Sequence, residues 1–264
     1  MSIRVMSFNV RFASKNDENE RSWKQRRAAV GKFILEKGAD IVCMQELLPS
    51  QFADVKAAVR EKYDAVWYGR EAIEDERGEG LAIAFDRGEW KLVAKDRFWL
   101  SETPEVPSKS WNSWLNRICV HAVLENAKTG KRIAVYNVHL DHKSEEARVE
   151  GIRLVLAVIA ESEYPVYLCG DFNTERNAGA YVSASAALVD SCMYSPSTDK
   201  GITFNQWGAS AEADDGSHVI DYNFFQKEAF ELLSFEICRD KWGENGENFL
   251  SDHYAILSEV NLKK

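Results

Sequence analysis

What this chain lacks narrows the field first. No stretch approaches the roughly 18 uncharged apolar residues that a membrane helix needs. Met1 leads almost directly into the strand-like run Ile3 to Phe8, without a basic-then-apolar leader. The expectation is a soluble protein, cytoplasmic rather than secreted, although a leader removed during maturation would leave no trace. The five cysteines, Cys43, Cys119, Cys169, Cys192 and Cys238, are odd in number and share no C-x-x-C spacing. That argues against a disulfide framework and for buried free thiols. A Cys/His cluster at zinc spacing is absent too, which excludes a structural zinc site. No Pro/Gly/Ser-rich linker, low-complexity tract or short repeat interrupts the chain, so its 264 residues, 45% of them hydrophobic, read as one domain, 1–264. Cations are in short supply as well. A net charge of -9 opposes a protein that grips long nucleic acid by spreading Lys and Arg along the phosphates. It does not oppose an enzyme whose metal supplies positive charge locally.

What is present alternates between two periods. Strand-like runs rich in Val, Ile, Phe and Tyr fall at Ile3–Phe8, Asp40–Met44, Leu81–Phe85, Ile118–Leu124, Arg132–His139, Val166–Cys169, Val219–Phe225, Leu232–Ile237 and Tyr254–Val260. Between them, a helix is predicted from Trp23 to Lys37 with Val30, Phe33 and Ile34 on one stripe. A second carries Phe52, Val55 and Val59, and a third starts at the N-cap Ser144. Strand–helix–strand units occur in both halves, while Leu81 to Leu124 reads mostly as strands. The expected architecture is therefore α/β of the α+β kind: a four-layer αββα sandwich, with two mixed β-sheets face to face and helices outside.

Six short polar words sit at strand ends: Ser7-Phe8-Asn9, Gln45-Glu46, Asn137-Val138-His139-Leu140-Asp141, Gly170-Asp171-Phe172-Asn173, Ile220-Asp221-Tyr222 and Ser251-Asp252-His253. Side chains alternate across a strand, so Asn137, His139 and Asp141 share a face, and Asp171 and Asn173 share another with Phe172 turned to the core. Strand ends in layered α/β proteins are common ligand sites, and these words could converge on one rim. A hard divalent cation takes oxygen ligands such as Glu46, with Asn9 or Asp252 nearby. Mg²⁺ keeps waters and completes its coordination with substrate phosphate oxygens.

In this order across almost the whole chain, the six words resemble the endonuclease/exonuclease/phosphatase superfamily. The resemblance implies a phosphoesterase that hydrolyses a phosphodiester or phosphomonoester with carboxylate-activated water. It implies Glu46 as principal metal ligand for Mg²⁺, with Mn²⁺ as substitute. Asn9 would stand beside metal and phosphate, and Asp252 would support the metal side. Asp171 would activate the water, oriented by Asn173, while His139 and His253 would contact the phosphate and Asp221 would fix the His253 tautomer. The runs Phe98 to Pro104, Arg117-Ile118-Cys119 and His139 to His142 resemble a mostly bacterial branch of that superfamily. Departures are small: Val138 and Ala255 stand where many relatives have Thr and Pro. Asn223 replaces an apolar residue, which touches only local packing.

Each residue alone has a plainer reading. Glu46 could be a surface carboxylate, Asp171 a turn cap after Gly170, and Asp141 the cap of the helix near Ser144. Arg117 either pairs with a carboxylate or touches substrate phosphate, and Asn137 is placed with the substrate. His121 and His218 match no word and are structural; His142 is exposed. Trp111, Trp114 and Trp207 lie in polar segments and could line a cleft. Glu71 to Glu79 is expected to be a solvated loop, and Lys24 to Arg27 a solvated helix face. The competing functions are a nuclease on DNA or RNA, which the acidic charge disfavours, and a non-catalytic binding module, which the intact set of polar words disfavours. The substrate class stays open among phospholipid head groups, sugar or inositol phosphates, and nucleotides.

Overall fold

A computed structural model of the chain describes residues 1–73, 78–196, 201–210 and 218–263. The strands in chain order are β1 (Ser2–Asn9), β2 (Ile41–Leu47), β3 (Tyr63–Gly69), β4 (Gly80–Asp86), β5 (Trp90–Trp99), β6 (Ile118–Asn126), β7 (Arg132–His139), β8 (Val166–Asp171), β9 (Val189–Asp190), β10 (Asp221–Phe225), β11 (Phe230–Cys238), β12 (Lys241–Trp242), β13 (Asn248–Phe249) and β14 (Ala255–Leu262). The helices are α1 (Trp23–Lys37), α2 (Pro49–Val59), α3 (Glu145–Ala160), α4 (Gly179–Ala187) and α5 (Ser191–Tyr194). One sheet has the order β11-β14-β1-β2-β4-β3 and the other β5-β6-β7-β8-β10-β9. Each is mixed: β1 runs parallel to β2 across the α1 crossover, β7 parallel to β8 across α3, and the other pairs are antiparallel.

The layering follows from strand alternation. Along β1, Ile3 and Val5 join the core between the sheets, while Met6 and Phe8 pack with Val30, Phe33 and Ile34 of α1. Along β8, Tyr167 and Cys169 face the other sheet, while Val166, Leu168 and Phe172 pack with Ile152 and Val155 of α3. Two sheets buried on both faces, with helices outside, give the αββα sandwich that the sequence predicts. Helix α1 has the predicted bounds, stopped by Gly38 in the left-handed conformation. Ser144 caps α3 as expected, its side chain accepting the Ala147 N–H.

Two expectations hold only in part. Lys24, Gln25 and Arg27 are exposed as predicted, but Arg26 between them is fully buried. It donates to the carbonyls of Val10, Arg11, Arg21 and Leu250. The Glu71 to Glu79 segment is not simply a solvated loop either. Glu79 forms a two-pronged pair with buried Arg70 at 3.0 Å on each oxygen, and residues 74–77 lie outside the described ones.

Candidate active site

The space between the sheets is apolar at one end and turns polar toward one rim. Ile3 and Val5 give way to Ser7 and Asn9 on β1, and Ile133 and Val135 to Asn137 and His139 on β7. Tyr167 and Cys169 give way to Asp171 on β8. Pairing aligns these ends, with Asn9 beside Gln45 and His139 beside Asp171. The Asp221 and His253 words stand at the beginnings of their strands rather than the ends. Strands β10 and β14 run antiparallel to β8 and β1, so their starts reach the same rim, and Asp221 pairs with Asp171.

Two backbone features set the carboxylates. Strict alternation would send Glu46 to the helix side with Val42 and Met44. A bulge after Met44 and a left-handed Glu46 (φ 65°) turn its carboxylate to the rim. Gly170 has φ 150°, and a Cβ there would stand 2.1 Å from the Val138 carbonyl oxygen. Only glycine lets β8 approach β7 this closely just before Asp171.

A lower polar layer ties the sheets together. Gln45 Nε2 donates to Asn137 Oδ1 at 2.8 Å and Ser7 Oγ at 3.2 Å, while Asn137 Nδ2 donates to the carbonyls of Met44 (3.0 Å) and Ala82 (2.9 Å). Asn137 is thus fully buried and does not line the pocket, contrary to its expected place at the substrate. Asn223 does the same job two strands over, on β10, donating to Ser258 Oγ at 3.0 Å and the Val5 carbonyl at 3.2 Å. A polar residue at that departure position therefore stitches the two sheets.

Above this layer lie the chemical groups. Asn9 Nδ2 donates to Glu46 Oε1 (3.1 Å) and Asp171 Oδ2 (2.9 Å), and the Phe12 N–H holds the other Glu46 oxygen at 2.9 Å. His139 Nε2 is 3.4 Å from Asp171 Oδ2. His253 Nδ1 is 2.9 Å from Asp221 Oδ2, and its Nε2 is 3.8 Å from Asp171. The Asn173 backbone N–H, not its side chain, fixes Asp171 Oδ1 at 2.8 Å; the side chain donates to the Leu140 carbonyl. Asp252 lies 3.6 Å from Arg11.

Burial sets the ionisation. It raises Asp171, aided by repulsion from Asp221, to about 7. Burial works against the charged form of His253, but Asp221, joined by Asp171 and Asp252, outweighs it and holds the imidazolium up to about 10. The other histidine goes the opposite way: burial and then Arg117 push His139 well below its ordinary value. So the two histidines differ, one a held cation and one a neutral ring with a lone pair.

Coordinating atoms of Glu46, His139 and Asp171 lie within 4.8 Å of one another. Two carboxylates and a neutral imidazole fit a divalent cation. Burial also raises Asp252, with repulsion from Glu46 adding to it, so the crowded carboxylates would be relieved by positive charge. Asn9 touches two members of this set, whereas Asp252 stands outside it.

Above the cluster is a pocket of about 380 Å³, walled by Arg11, Trp114, Arg117, His142, Phe204 and Ile220. Of the tryptophans, Trp114 reaches it, with 65% of its surface exposed; Trp111 and Trp207 do not line it. Asp141 secures the Trp114 loop by accepting the N–H groups of Trp114 (3.0 Å) and Leu115 (3.3 Å), besides those of Lys143 and Ser144. His142, exposed as expected, also meets the guanidinium of Arg117 at 3.1 Å. Arg11, Glu79 and Phe204 were not legible as wall residues, since no strand word contains them.

Residues 6–253 match the model of the endonuclease/exonuclease/phosphatase family. The chain belongs to this family. Its members are hydrolases of phosphoester bonds and generally depend on a divalent metal. Among solved structures, the chain resembles a family protein from Bacteroides thetaiotaomicron at 30% identity and TM-score 0.91, covering 100% of this chain and 99% of that one. It also resembles a mannosyl-6-phosphatase from the same species at 29% identity and TM-score 0.90, covering 98% of this chain and 100% of that one. With the Ccr4 exoribonuclease subunit of Mycosarcoma maydis it shares 23% identity over 92% of this chain and 47% of that protein. The chain spans about half the length of such curated relatives. No helix among the described residues is long and apolar enough to cross a membrane.

Proposed function

We propose that residues 1–264 act as one domain that hydrolyses a small phosphate ester, such as a sugar phosphate, in the presence of Mg²⁺, with Mn²⁺ able to substitute. The carrying observation is the placing of the Glu46–His139–Asp171 cluster and the His253–Asp221 pair at the foot of one pocket of about 380 Å³. That is room for a small substrate.

Glu46 would hold the cation with His139 and Asp171, with Asn9 bracing both carboxylates and Asp252 adding negative charge beside it. The cation would neutralise charge on the phosphate oxygens. Asp171, held by the Asn9 amide and the Asn173 N–H, accepts a proton from the attacking water as the new P–O bond forms. The imidazolium of His253, kept charged and oriented by Asp221, donates to the phosphate and passes a proton to the departing oxygen as the ester P–O bond breaks. Asn173 fixes Asp171 through its backbone. Exposed Trp114 offers an aromatic face to a sugar ring. Five buried cysteines, with no disulfide among the described residues, suit a reducing compartment such as the cytoplasm.

The test is release of inorganic phosphate from mannose 6-phosphate with Mg²⁺, with EDTA, and with Asp171→Ala or His253→Ala. Activity that requires metal and falls on the order of 1,000-fold in either variant supports the reading. Activity surviving EDTA or both substitutions contradicts it. The Ccr4 relative motivates a parallel assay on oligoadenylate, where faster turnover than on any small ester would favour the nuclease reading.

A further inference from the structure

Arg117 is the anomaly of the site. Only 4% of it is exposed, yet its Nε and Nη1 have no hydrogen-bond partner among the described residues. A buried guanidinium with idle donors is costly, and native proteins rarely keep one without use for it. The nearest carboxylate does not resolve it. Asp141 Oδ2 is 3.7 Å from Arg117 Nε, beyond hydrogen-bond reach, and already accepts from Ser113 Oγ, Trp114 N and Leu115 N. Its other oxygen serves Lys143 N and Ser144 N. Neighbouring Arg70 is the contrast, since both its terminal nitrogens are matched by Glu79.

Beside Arg117 the pocket opens into a small lobe of about 10 Å³, lined by Glu46, Arg70, Glu79, Arg117, Ile118 and His139. That is room for about one oxygen-sized group. The lobe and the main pocket share Glu46, Glu79, Arg117 and His139, so the two adjoin at the cluster. A phosphate monoester carries three unesterified oxygens and a diester two. In the mechanism above the cation at Glu46, His139 and Asp171 and the imidazolium of His253 would each take one oxygen, so a diester's two are used there and only the third oxygen of a monoester is left for the Arg117 donors.

We propose that Arg117 and this lobe read the terminal oxygen that a phosphate monoester has and a diester lacks, making the site a monoesterase. The inference rests on the phosphoesterase reading above. The guanidinium is a substrate-binding group for that oxygen, and Asp141, by securing the loop instead of pairing with it, leaves its donors free.

The experiment compares wild type, Arg117→Ala and Arg117→Lys on p-nitrophenyl phosphate and bis(p-nitrophenyl) phosphate with Mg²⁺. Alongside it, calorimetry measures binding of inorganic phosphate to the Mg²⁺-loaded proteins. Arg117→Ala is expected to lose on the order of 100-fold in kcat/KM on the monoester and less than about 3-fold on the diester, with Arg117→Lys between, as loss of charge-assisted hydrogen bonds dictates. Phosphate affinity should fall in parallel. An equal fall on both esters, or an unchanged preference, overturns the assignment. Hydrolysis of neither ester by wild type would count against the phosphoesterase reading alone. Calorimetry then still decides: phosphate binding that is lost in Arg117→Ala upholds the Arg117 lobe, and unchanged affinity overturns it.

Discussion

At the scale of single residues, the site is a set of charges that the protein alone does not balance. His253 shows the consequence. Its proton is held up to about 10 in the folded chain, against about 6.5 when unfolded. The folded state therefore binds an extra proton between those values. The stability so gained is complete below about pH 6.5 and is lost as pH rises toward 10. Asp171, raised to about 7, works in the same direction at lower pH. In EDTA, wild type should thus melt progressively lower from pH 6.5 to 10, and Asp221→Asn should flatten that slope. A melting series in both proteins checks this, and equal slopes would detach the effect from the pair. Gly170 is a second such residue. Gly170→Ala places a Cβ against the Val138 carbonyl, so a loss of roughly 1–3 kcal/mol is expected in urea unfolding, with turnover reduced because Asp171 is the next residue.

At the scale of elements, what could be read from sequence depended on alternation. Strands β1, β2, β7 and β8 carry apolar residues on both faces and end in polar words, so both the strands and their functional ends stood out. The strand β5 did not, because it lies at a sheet edge with Lys91 to Asp96 exposed, and its pattern has no buried face. The strand β3, at an edge of the other sheet, was missed too. So was α4, whose buried stripe of Ala180, Tyr181 and Ala184 is built mostly from alanine and gives a weak apolar pattern. The site residues were legible where they share a word. Those supplied by loops, such as Arg11 and Phe204, were not, nor was the burial of Arg26, since a run such as Lys24-Gln25-Arg26-Arg27 ordinarily reads as solvated. Arg26 is in fact the clamp on which α1, the segment after β1 and the segment before β14 converge, through the carbonyls of Val10, Arg11 and Leu250. Arg26→Met keeps the stem and leaves these carbonyls unmet. A loss of roughly 3 kcal/mol is expected in urea unfolding. Turnover should fall with it, because those segments carry Asn9 and Asp252; undiminished stability would show that the clamp is dispensable.

At the scale of the whole molecule, the fold holds Glu46, Asp171, Asp221 and Asp252 at one rim in a chain whose net charge is already -9. Packing forces them together, and burial raises Asp171 and Asp252, so the metal-free protein should be strained against its own active site, and function should oppose stability there. Removing one carboxylate without changing its shape separates the two. In EDTA at pH 8, Asp171→Asn should melt higher than wild type, since Asp171 is then largely ionised and repelled by its neighbours. Added Mg²⁺ should reverse the order: wild type gains about 2.7 kcal/mol when the ion reaches 100 times its dissociation constant, and the variant, lacking one of the three grouped ligands, gains much less. Melting curves of both proteins across a Mg²⁺ titration make the comparison. Crossing curves would show that the sandwich spends stability to keep an anionic rim ready for a cation. Parallel curves would mean that Asp171 neither strains the fold nor holds the ion, and its place would be with the attacking water alone.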